Sequence, residues 1–554
     1  MLLQVLLVLC MTQETPDSNN VPGIVSAAEL VGLEITEGEA ELMARDIADQ
    51  LSSYAALRAV ALPNAISPTG AFTPLIPGLT PRLHPVTGET VRPKFSAPEN
   101  WREVLFSLSI PELGTLLRSG ELTCVELVDA YLENLTRLDK ELHCVITLLP
   151  ERARAQARRC DLELAEGRDR GPLHGIPWGA KDLLAVNGAP TTWGAKPFEN
   201  QVIAEDASVV RRLDQAGAVL IAKLSLGALA MGDVWFGEKT RNPWNPKRGS
   251  SGSSAGPAAA VAAGGVVFAI GSETLGSIVS PSARCGVSSI RPSFGRVSRE
   301  GAMALSWSMD KLGPMARSLD DAWLVQEVIT GPPVLTSTLD FREEGDAGVV
   351  DVELLSADAY ALKKVRVGIP SGAFSGGDAH LESVLGELRS ALESQGGSLE
   401  VVTVELPDYP SDAMLITLTA EAAAAFDALT RSGRDDELVA QHQYAWPTIF
   451  RAARLIPAVE YITAQRLRAG LILDFEAMMN SVDLLIHPPF ANGILGVTNL
   501  TGHPTLVAPV FKDPTDTQPR AISFTGRLYD EGYLVAVARL WQESTSHHKR
   551  HPEL

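Results

Sequence analysis

Two loops of small residues bracket one short helix and one buried strand, and this arrangement narrows the fold more than any other feature of the sequence. The first loop, 249–256, reads GSSGSSAG, and the Ala-rich stretch after it ends at two glycines. The apolar run 266–270 then predicts a buried strand, and a second loop, 271–277, reads GSETLGS. Because a short helix–strand unit separates them, the two serine-bearing loops can meet at one end of a sheet. The segment therefore indicates an α/β protein.

The rest of the chain repeats this alternation of helices and strands. Two capping boxes, 109–112 and 123–126, predict the starts of helices. Apolar periodicity predicts further helices at 208–215, 380–394 and 421–429, and further strands at 218–222, 365–369, 401–406 and 482–486. This alternation predicts an α/β fold with a mixed or parallel sheet covered by helices.

The chain divides into three parts. Residues 1–20 begin with the apolar run MLLQVLLVLCM, which resembles a signal-peptide core but lacks a basic start and a small-residue cleavage site. Export and cytoplasmic residence therefore both stay open. Residues 21–105 form an N-terminal extension, with one helix expected over 26–61. A stretch rich in Pro, Gly and Thr, 63–98, is expected to be an extended arm that either wraps the body or links to it. Residues 106–545 form the main domain, in which the acidic stretch 331–361 is expected to be a surface excursion.

Charge, cysteine and histidine content disfavour several classes of function. The 47 basic and 67 acidic residues give a net charge of −20, which disfavours nucleic acid as a surface-bound partner. The five cysteines show no CxxC spacing and the ten histidines no HExxH pattern, so we expect buried free thiols and no metal site. No apolar run reaches the roughly 18 residues that a membrane-spanning helix needs.

Serine-based chemistry fits the two loops. A serine hydroxyl has too high a pKa to attack unaided, so it needs a base. Lys181 can supply one, because it follows an apolar run and burial disfavours the charged form of a lysine. The N–H groups of residues 274–277 can hold an oxyanion, since small residues let a substrate approach them. The alternatives are that both loops are flexible turns and that the ammonium of Lys181 reaches solvent.

A second serine pattern points to a different class of enzyme. Residues 252–256 fit GxSxG, the nucleophile elbow of α/β hydrolases, which would make Ser254 the nucleophile. That elbow directly follows a buried strand, whereas residues 241–248 contain two prolines, which a central strand does not tolerate. The sequence context therefore argues against the elbow.

These residues together resemble the signatures of the amidase signature family. Three ordered stretches carry the resemblance: GIPWGAKD at 175–182, GSSGSS at 249–254 and GSI at 276–278. Three later stretches agree with it: 291–298, 308–322 and 499–504. The resemblance spans roughly residues 105–540, and the interval of 24 residues between the two serines (277 − 253) is the family's own.

The resemblance implies an amidase catalytic domain over 106–545, with an α/β fold in which helices cover both faces of a large mixed sheet. It also implies a Ser–cisSer–Lys triad. Ser277 would be the nucleophile, Ser253 the proton relay after a cis peptide bond, and Lys181 the neutral base. Ser254 would support Lys181 or its loop. The oxyanion would be held by the N–H groups of Thr274, Leu275, Gly276 and Ser277. A carboxamide would be hydrolysed through an acyl-enzyme on Ser277.

No metal or cofactor is implied, and the expected partner is a small-molecule amide. A homodimer is compatible with the resemblance. By family position, the walls of the substrate pocket would include five residues, each of which could equally belong to the core: Trp307, Met309, Asn499, Thr501 and Phe524.

The chain departs from the family in the oxyanion segment. Leu275 replaces a glycine, and Val279 replaces an arginine that would normally form an ion pair with the acidic residue at position 273. A backbone donor survives the first change if its φ is negative. The departures favour a free-standing amidase over the glutaminase subunit of a tRNA-dependent amidotransferase. That subunit stays an alternative, as do ester or carbamate hydrolysis and a non-enzymatic binding role.

Overall fold

The computed structural model describes residues 21–60, 64, 72–77, 79–85, 96–330, 357, 360–374, 379–511 and 516–554. The expected signal segment, 1–20, lies outside these residues, as does nearly all of the expected surface excursion, 331–361. No helix in the described ranges is long and apolar enough to cross a membrane.

A mixed sheet of eleven strands lies at the centre of the described part of the chain. The described residues form these eleven strands and two more that lie outside the sheet: β1 (Val145–Leu148), β2 (Pro177–Lys181), β3 (Val219–Leu224), β4 (Arg241–Asn242), β5 (Asn245–Gly249), β6 (Phe268–Glu273), β7 (Ser288–Arg291), β8 (Lys311–Ala316), β9 (Lys364–Pro370), β10 (Ser398–Val404), β11 (Leu484–His487), β12 (Thr505–Val510) and β13 (Arg520–Thr525). The order across the sheet is β1-β3-β2-β6-β8-β7-β12-β13-β11-β9-β10, and β4 and β5 pair separately. Strand β2 runs parallel to β3 and β6, and β9 runs parallel to β10 and β11, whereas the remaining pairs are antiparallel. The predicted mixed sheet is confirmed.

Helices flank this sheet, and two more lie in the N-terminal extension. They are α1 (Val21–Leu30), α2 (Glu37–Arg58), α3 (Ile110–Ser119), α4 (Cys124–Leu142), α5 (Pro150–Ala165), α6 (Ser208–Gln215), α7 (Ala255–Ala262), α8 (Val279–Cys285), α9 (Leu319–Thr330), α10 (Ala379–Ser394), α11 (Ser411–Met414), α12 (Ile416–Ala425), α13 (Asp427–Arg431), α14 (Trp446–Ala453), α15 (Ala458–Met479), α16 (Ile494–Thr501) and α17 (Glu531–Glu543). Every residue of β2, β3, β6, β8 and β12 is buried, so the centre of the sheet is covered on both faces.

Local sequence signals set several of these boundaries. The Ser109 hydroxyl accepts from Glu112 N at 3.4 Å, while the Glu112 carboxylate accepts from Ser109 N at 2.8 Å. Thr123 and Glu126 form the second predicted box, at 3.1 Å and 2.9 Å. Each box satisfies N–H groups that the first turn of a helix leaves without partners, so α3 and α4 begin where the sequence predicts.

The N-terminal extension contains two helices where one was expected over 26–61. Helix α1 ends before Gly32, whose φ of +75° breaks the helix, and Thr36 caps α2 with Glu39 as its capping-box partner. The prediction of one helix is therefore wrong. A glycine with a positive φ that is followed by a new N-cap residue marks a bend between two separate helices.

The described part of the arm contacts the body of the protein. His84 lies between two carboxylates, with Nε2 3.0 Å from Asp483 Oδ1 and Nδ1 hydrogen-bonded to Asp530. Its ring stacks on Tyr533, with ring centroids 3.5 Å apart. Of the two arrangements that the sequence left open, these contacts favour an arm that wraps the body.

The contribution of His84 to arm docking is expected to depend on pH. Burial lowers the pKa of His84, but the hydrogen bonds to Asp483 and Asp530 outweigh it, so the pKa is raised overall. A raised pKa in the folded state stabilises the protein fully below the unfolded value of about 6.5, and this stabilisation is lost as pH rises through the folded value. We expect amide exchange of residues 79–85 to accelerate above neutral pH beyond its intrinsic pH dependence. In a His84→Gln variant this additional acceleration should be absent, and its persistence there would contradict the prediction.

Candidate active site

Lys181 lies at the carboxyl end of β2, fully buried beneath two serine-bearing loops. Its Nζ is 2.8 Å from Ser253 Oγ and 3.0 Å from Ser254 Oγ. It also lies 2.8 Å from Ser272 Oγ, because β6 runs parallel to β2 and ends beside it. The structure thus brings both loops to one sheet edge around a single amine. The alternative of a solvent-exposed lysine is wrong.

The surroundings of Lys181 favour its neutral form. Burial lowers the pKa of Lys181 well below its usual value, although the more distant charges of Asp310 and Glu273 oppose the shift. No carboxylate of the described residues lies within ion-pair distance of Nζ, and its polar neighbours are hydroxyl and carbonyl oxygens. An uncharged amine keeps a lone pair, so it can accept a proton from a hydroxyl at 2.8 Å.

The loop before α7 is shaped around Ser253. The peptide bond between Gly252 and Ser253 is cis, as the family resemblance implies. A side chain at Gly252 would have its Cβ 1.8 Å from the carbonyl oxygen of Gly232, so this position accepts only glycine. Ser254 Oγ donates to Ser272 O at 3.1 Å and accepts from Ser272 N at 3.2 Å. Ser254 therefore ties the first loop to the second beside Lys181.

Ser277 lies on the connection between β6 and α8, next to the first loop. Its carbonyl oxygen accepts from Ser254 N at 3.1 Å. Ser277 is 8 % exposed, and its hydroxyl makes no hydrogen bond within the described ranges. The structure thus places Ser277 beside the Lys181–Ser253 pair without a direct bond to Ser253, and leaves its hydroxyl available to a substrate.

The predicted oxyanion segment presents free backbone donors. The N–H groups of Leu275, Gly276 and Ser277 donate no hydrogen bond in the part of the chain that the structure describes. Gly276 has a φ of +80°, while Leu275 has a negative φ, so the condition for keeping its donor is met. Consecutive N–H groups around a left-handed glycine can form a concave anion site.

Asp310 holds this segment from the side, although no motif in the sequence marks it as a site residue. Asp310 Oδ1 accepts from Thr274 Oγ1 at 2.6 Å, and Oδ2 accepts from Leu305 N at 2.8 Å and Ser306 N at 3.0 Å. Burial raises the pKa of Asp310. The only signal in the sequence was the position of Asp310 in the stretch 308–322, which resembles a family segment.

The comparison with known proteins identifies the family. A family model described as Amidase matches residues 126–507. The chain belongs to the amidase signature family. A glutamyl-tRNA(Gln) amidotransferase subunit from Geobacillus stearothermophilus is 32% identical over 494 residues, which cover 81% of this chain and 100% of that protein.

Solved structures agree with this assignment. The native peptide amidase of Stenotrophomonas maltophilia has 28% identity and a TM-score of 0.68, and the match covers 80% of this chain and 98% of that one. The corresponding amidotransferase subunit from Thermotoga maritima has 26% identity and a TM-score of 0.58, and the match covers 76% of this chain and 94% of that one. The fold is therefore that of the amidase signature family, and membership indicates an enzyme that acts on amide carbon–nitrogen bonds.

In this amidase-family chain, Arg291 takes the place of the arginine missing at position 279. Arg291 Nη1 lies 2.9 Å from Glu273 Oε1, and both side chains are fully buried. The other carboxylate oxygen of Glu273 accepts from the N–H groups of Ile278 and Val279, at 2.8 Å and 2.9 Å. Burial would raise the pKa of Glu273, but the charge of Arg291 and further contacts lower it to about 2. The pair fixes the backbone directly after Ser277.

Arg291→Met is expected to lower the free energy of unfolding by about 3–5 kcal/mol, because it leaves the buried carboxylate of Glu273 without its cation. Denaturant unfolding measures the loss. The exposed Arg284 provides a matched control, and Arg284→Met is expected to change stability by about 0.5 kcal/mol or less. A loss below about 1 kcal/mol for Arg291→Met would contradict the role given to the pair.

The structure also bears on the predictions about the pocket walls, the cysteines and metal ligands. Met309 and Phe524 are fully buried in the apolar core, which is the alternative that the sequence left open for them. Asn499 donates to Glu273 Oε1 at 2.8 Å. The four cysteines in the described ranges are free and buried, as expected. Those ranges contain no cluster of three or more metal-ligating His, Cys, Asp or Glu side chains.

Proposed function

We propose that this chain hydrolyses a carboxamide through an acyl-enzyme on Ser277, with Ser253 as proton relay and Lys181 as base. The observation that carries the proposal is the fully buried amine of Lys181, 2.8 Å from the Ser253 hydroxyl and without a carboxylate partner among the described residues. A base of this kind meets the requirement of a serine nucleophile, which is inert until its proton has an acceptor.

The first half of the reaction forms the acyl-enzyme. Ser277 Oγ attacks the amide carbonyl carbon while its proton passes to Ser253 Oγ, and Ser253 passes its own proton to Lys181 Nζ. The carbonyl oxygen becomes an oxyanion that the N–H groups of residues 274–277 stabilise. Collapse of the intermediate breaks the C–N bond, and the leaving amine takes the proton back through Ser253.

The second half of the reaction releases the carboxylic acid from the acyl-enzyme. Water attacks the acyl carbon on Ser277, and its proton follows the same route through Ser253 to Lys181. The ester bond to Ser277 then breaks, and the returned proton restores the serine hydroxyl. Each step alternates the amine of Lys181 between neutral and protonated forms, so the low pKa of Lys181 keeps it ready to accept a proton.

The catalytic unit is proposed to be residues 106–545, with the extension 21–105 as a separate element. The family match at 126–507 and the sheet from β1 to β13 support this division. A small-molecule amide is the proposed partner, because the site is buried beneath two loops and the chain is strongly acidic.

A second candidate is the glutaminase subunit of a tRNA-dependent amidotransferase. The observation in its favour is the 32% identity over the full length of the Geobacillus stearothermophilus protein. The oxyanion segment argues for the free-standing enzyme, since Leu275 and Val279 depart from the usual pattern. Both candidates share the proposed acyl-enzyme, and they differ in substrate and in the need for partner subunits.

An activity screen separates the candidates. The purified chain is assayed on aliphatic and aryl amides, peptide amides, matched esters and carbamates, and glutamine, with the Ser277→Ala variant as control. A free-standing amidase releases amine or ammonia from at least one non-glutamine amide without added proteins. Release from glutamine alone would favour the glutaminase of an amidotransferase, and equal rates for Ser277→Ala would refute the proposed nucleophile.

A further inference from the structure

The N-terminal arm reaches the loop that supports the oxyanion segment. This loop comprises residues 304–310 and leads into β8. Asn64 pairs with one of its residues in both directions: Asn64 Nδ2 donates to Ala304 O at 2.9 Å, and Ala304 N donates to Asn64 Oδ1 at 2.7 Å. Trp307 Nε1 also donates to Asn64 O, at 3.2 Å. One arm residue thus makes three hydrogen bonds to the 304–310 loop.

The same loop bonds directly to the oxyanion segment. The carboxylate of Asp310 accepts from Thr274 through one oxygen and from the N–H groups of Leu305 and Ser306 through the other. A shift of the loop near Ala304 would therefore move the carboxylate that orients Thr274. The path from the arm to the oxyanion segment consists of Asn64, the loop and Asp310.

A second contact of the arm supports the far side of the loop. The Arg468 guanidinium carbon lies 3.5 Å from the centre of the Phe72 ring. Arg468 in turn donates to Ser308 O at 2.8 Å and to Ser308 Oγ at 2.9 Å. Burial lowers the pKa of Arg468 to about 10. Because a cation stacked on an aromatic face is stabilised when it is desolvated, Phe72 helps to hold Arg468 against the loop.

A third contact leads to the oxyanion segment by a different route. Pro74 of the arm lies against Gly502, where a Cβ would be 3.3 Å from Pro74 Cβ. Gly502 ends α16, and Leu495 of the same helix lies 3.2 Å from the position of a Cβ on Gly276. Asn64 and Pro74 therefore contact elements that touch residues 274–276, whereas Phe72 acts through Arg468 on the 304–310 loop.

We propose that the arm is a working part of the active site, and that Asn64 is a positioning residue that sets the 304–310 loop and, through it, the oxyanion donors. The inference rests on the proposed function. It predicts an effect on the chemical step, because the geometry of oxyanion donors counts in the transition state more than in the bound substrate.

The test compares Asn64→Ala with His84→Ala. Both variants weaken the arm, but His84 contacts Asp483 and Asp530, whereas Asn64 contacts the loop. With concentrations of active enzyme set by titration of Ser277, Asn64→Ala is expected to lower kcat about tenfold with little change in KM. His84→Ala is expected to keep kcat within about twofold. Amide exchange at Ala304 should accelerate in Asn64→Ala and stay unchanged in His84→Ala.

The outcomes separate the inference from the proposed function. If the native chain turns over no amide and Ser277 resists titration, the proposed function fails and the inference falls with it. If the native chain is active but Asn64→Ala keeps its kcat, or both variants lose kcat equally, only the inference is overturned. Should Asn64→Ala fail to fold, Trp307→Phe removes one donor from the same contact, and it is expected to lower kcat about threefold. An unchanged kcat in that variant would overturn the inference as well.

Discussion

Ser277→Ala is expected to lower kcat/KM for an amide by about 10⁴-fold or more, because it removes the hydroxyl that we propose forms the acyl-enzyme. The residual rate would come from binding and the oxyanion donors alone. The measurement is steady-state hydrolysis of the best amide from the screen, with the protein shown to be folded by its thermal unfolding.

Ser280 provides the matched control for this variant. It follows Ser277 by three residues, and its hydroxyl pairs with Ser251 at 2.7 Å, away from Lys181. Ser280→Ala is expected to keep kcat/KM within about tenfold of the native value. A loss for Ser277→Ala no larger than that of Ser280→Ala would refute the assignment of Ser277.

Lys181→Met is expected to lower kcat by about 10⁴-fold and to remove the pH dependence that the base creates. The proposed base accepts a proton only when neutral, so native kcat should rise with pH through the lowered pKa of Lys181 and then level off. The variant should show no such rise at the residual rate. The measurement is the pH dependence of kcat for the native protein and for Lys181→Met.

Lys311 controls for the effect of removing any buried amine. Burial also lowers the pKa of Lys311 well below its usual value, yet its amine bonds to the carbonyl of Met309 and to no serine of the described residues. Lys311→Met should keep the rising limb of the pH profile. If that limb vanishes in Lys311→Met and persists in Lys181→Met, the base has been misassigned.

The sequence predicted features that depend on short stretches of chain. Helix α6 and the capping boxes of α3 and α4 follow from residues within one or two turns, and the structure has them as predicted. The approach of the two loops was also predictable, since parallel neighbours such as β2 and β6 end at the same edge of a sheet. The pairing of Lys181 with Ser253, 72 residues away, was implied by the family resemblance and not by a local pattern.

Features that join distant stretches could not be predicted. Arg291 and Glu273 are 18 residues apart, and Thr274 and Asp310 are 36 apart, and neither pair has a local pattern that marks it. The bonds between Asn64 and Ala304 span 240 residues. Such contacts depend on how distant parts of the chain pack against one another. The sequence showed that Val279 leaves Glu273 without its usual arginine, but it did not show that Arg291 supplies the cation instead.

Reaction of the purified protein with a fluorophosphonate, followed by peptide mass spectrometry, tests the central claim most directly. The reagent phosphonylates an activated serine in place of the acyl group. The account predicts one modified residue, Ser277, with labelling abolished in Ser277→Ala and greatly slowed in Lys181→Met. Modification at Ser253, Ser254 or Ser272, or labelling that persists in Ser277→Ala, would contradict it.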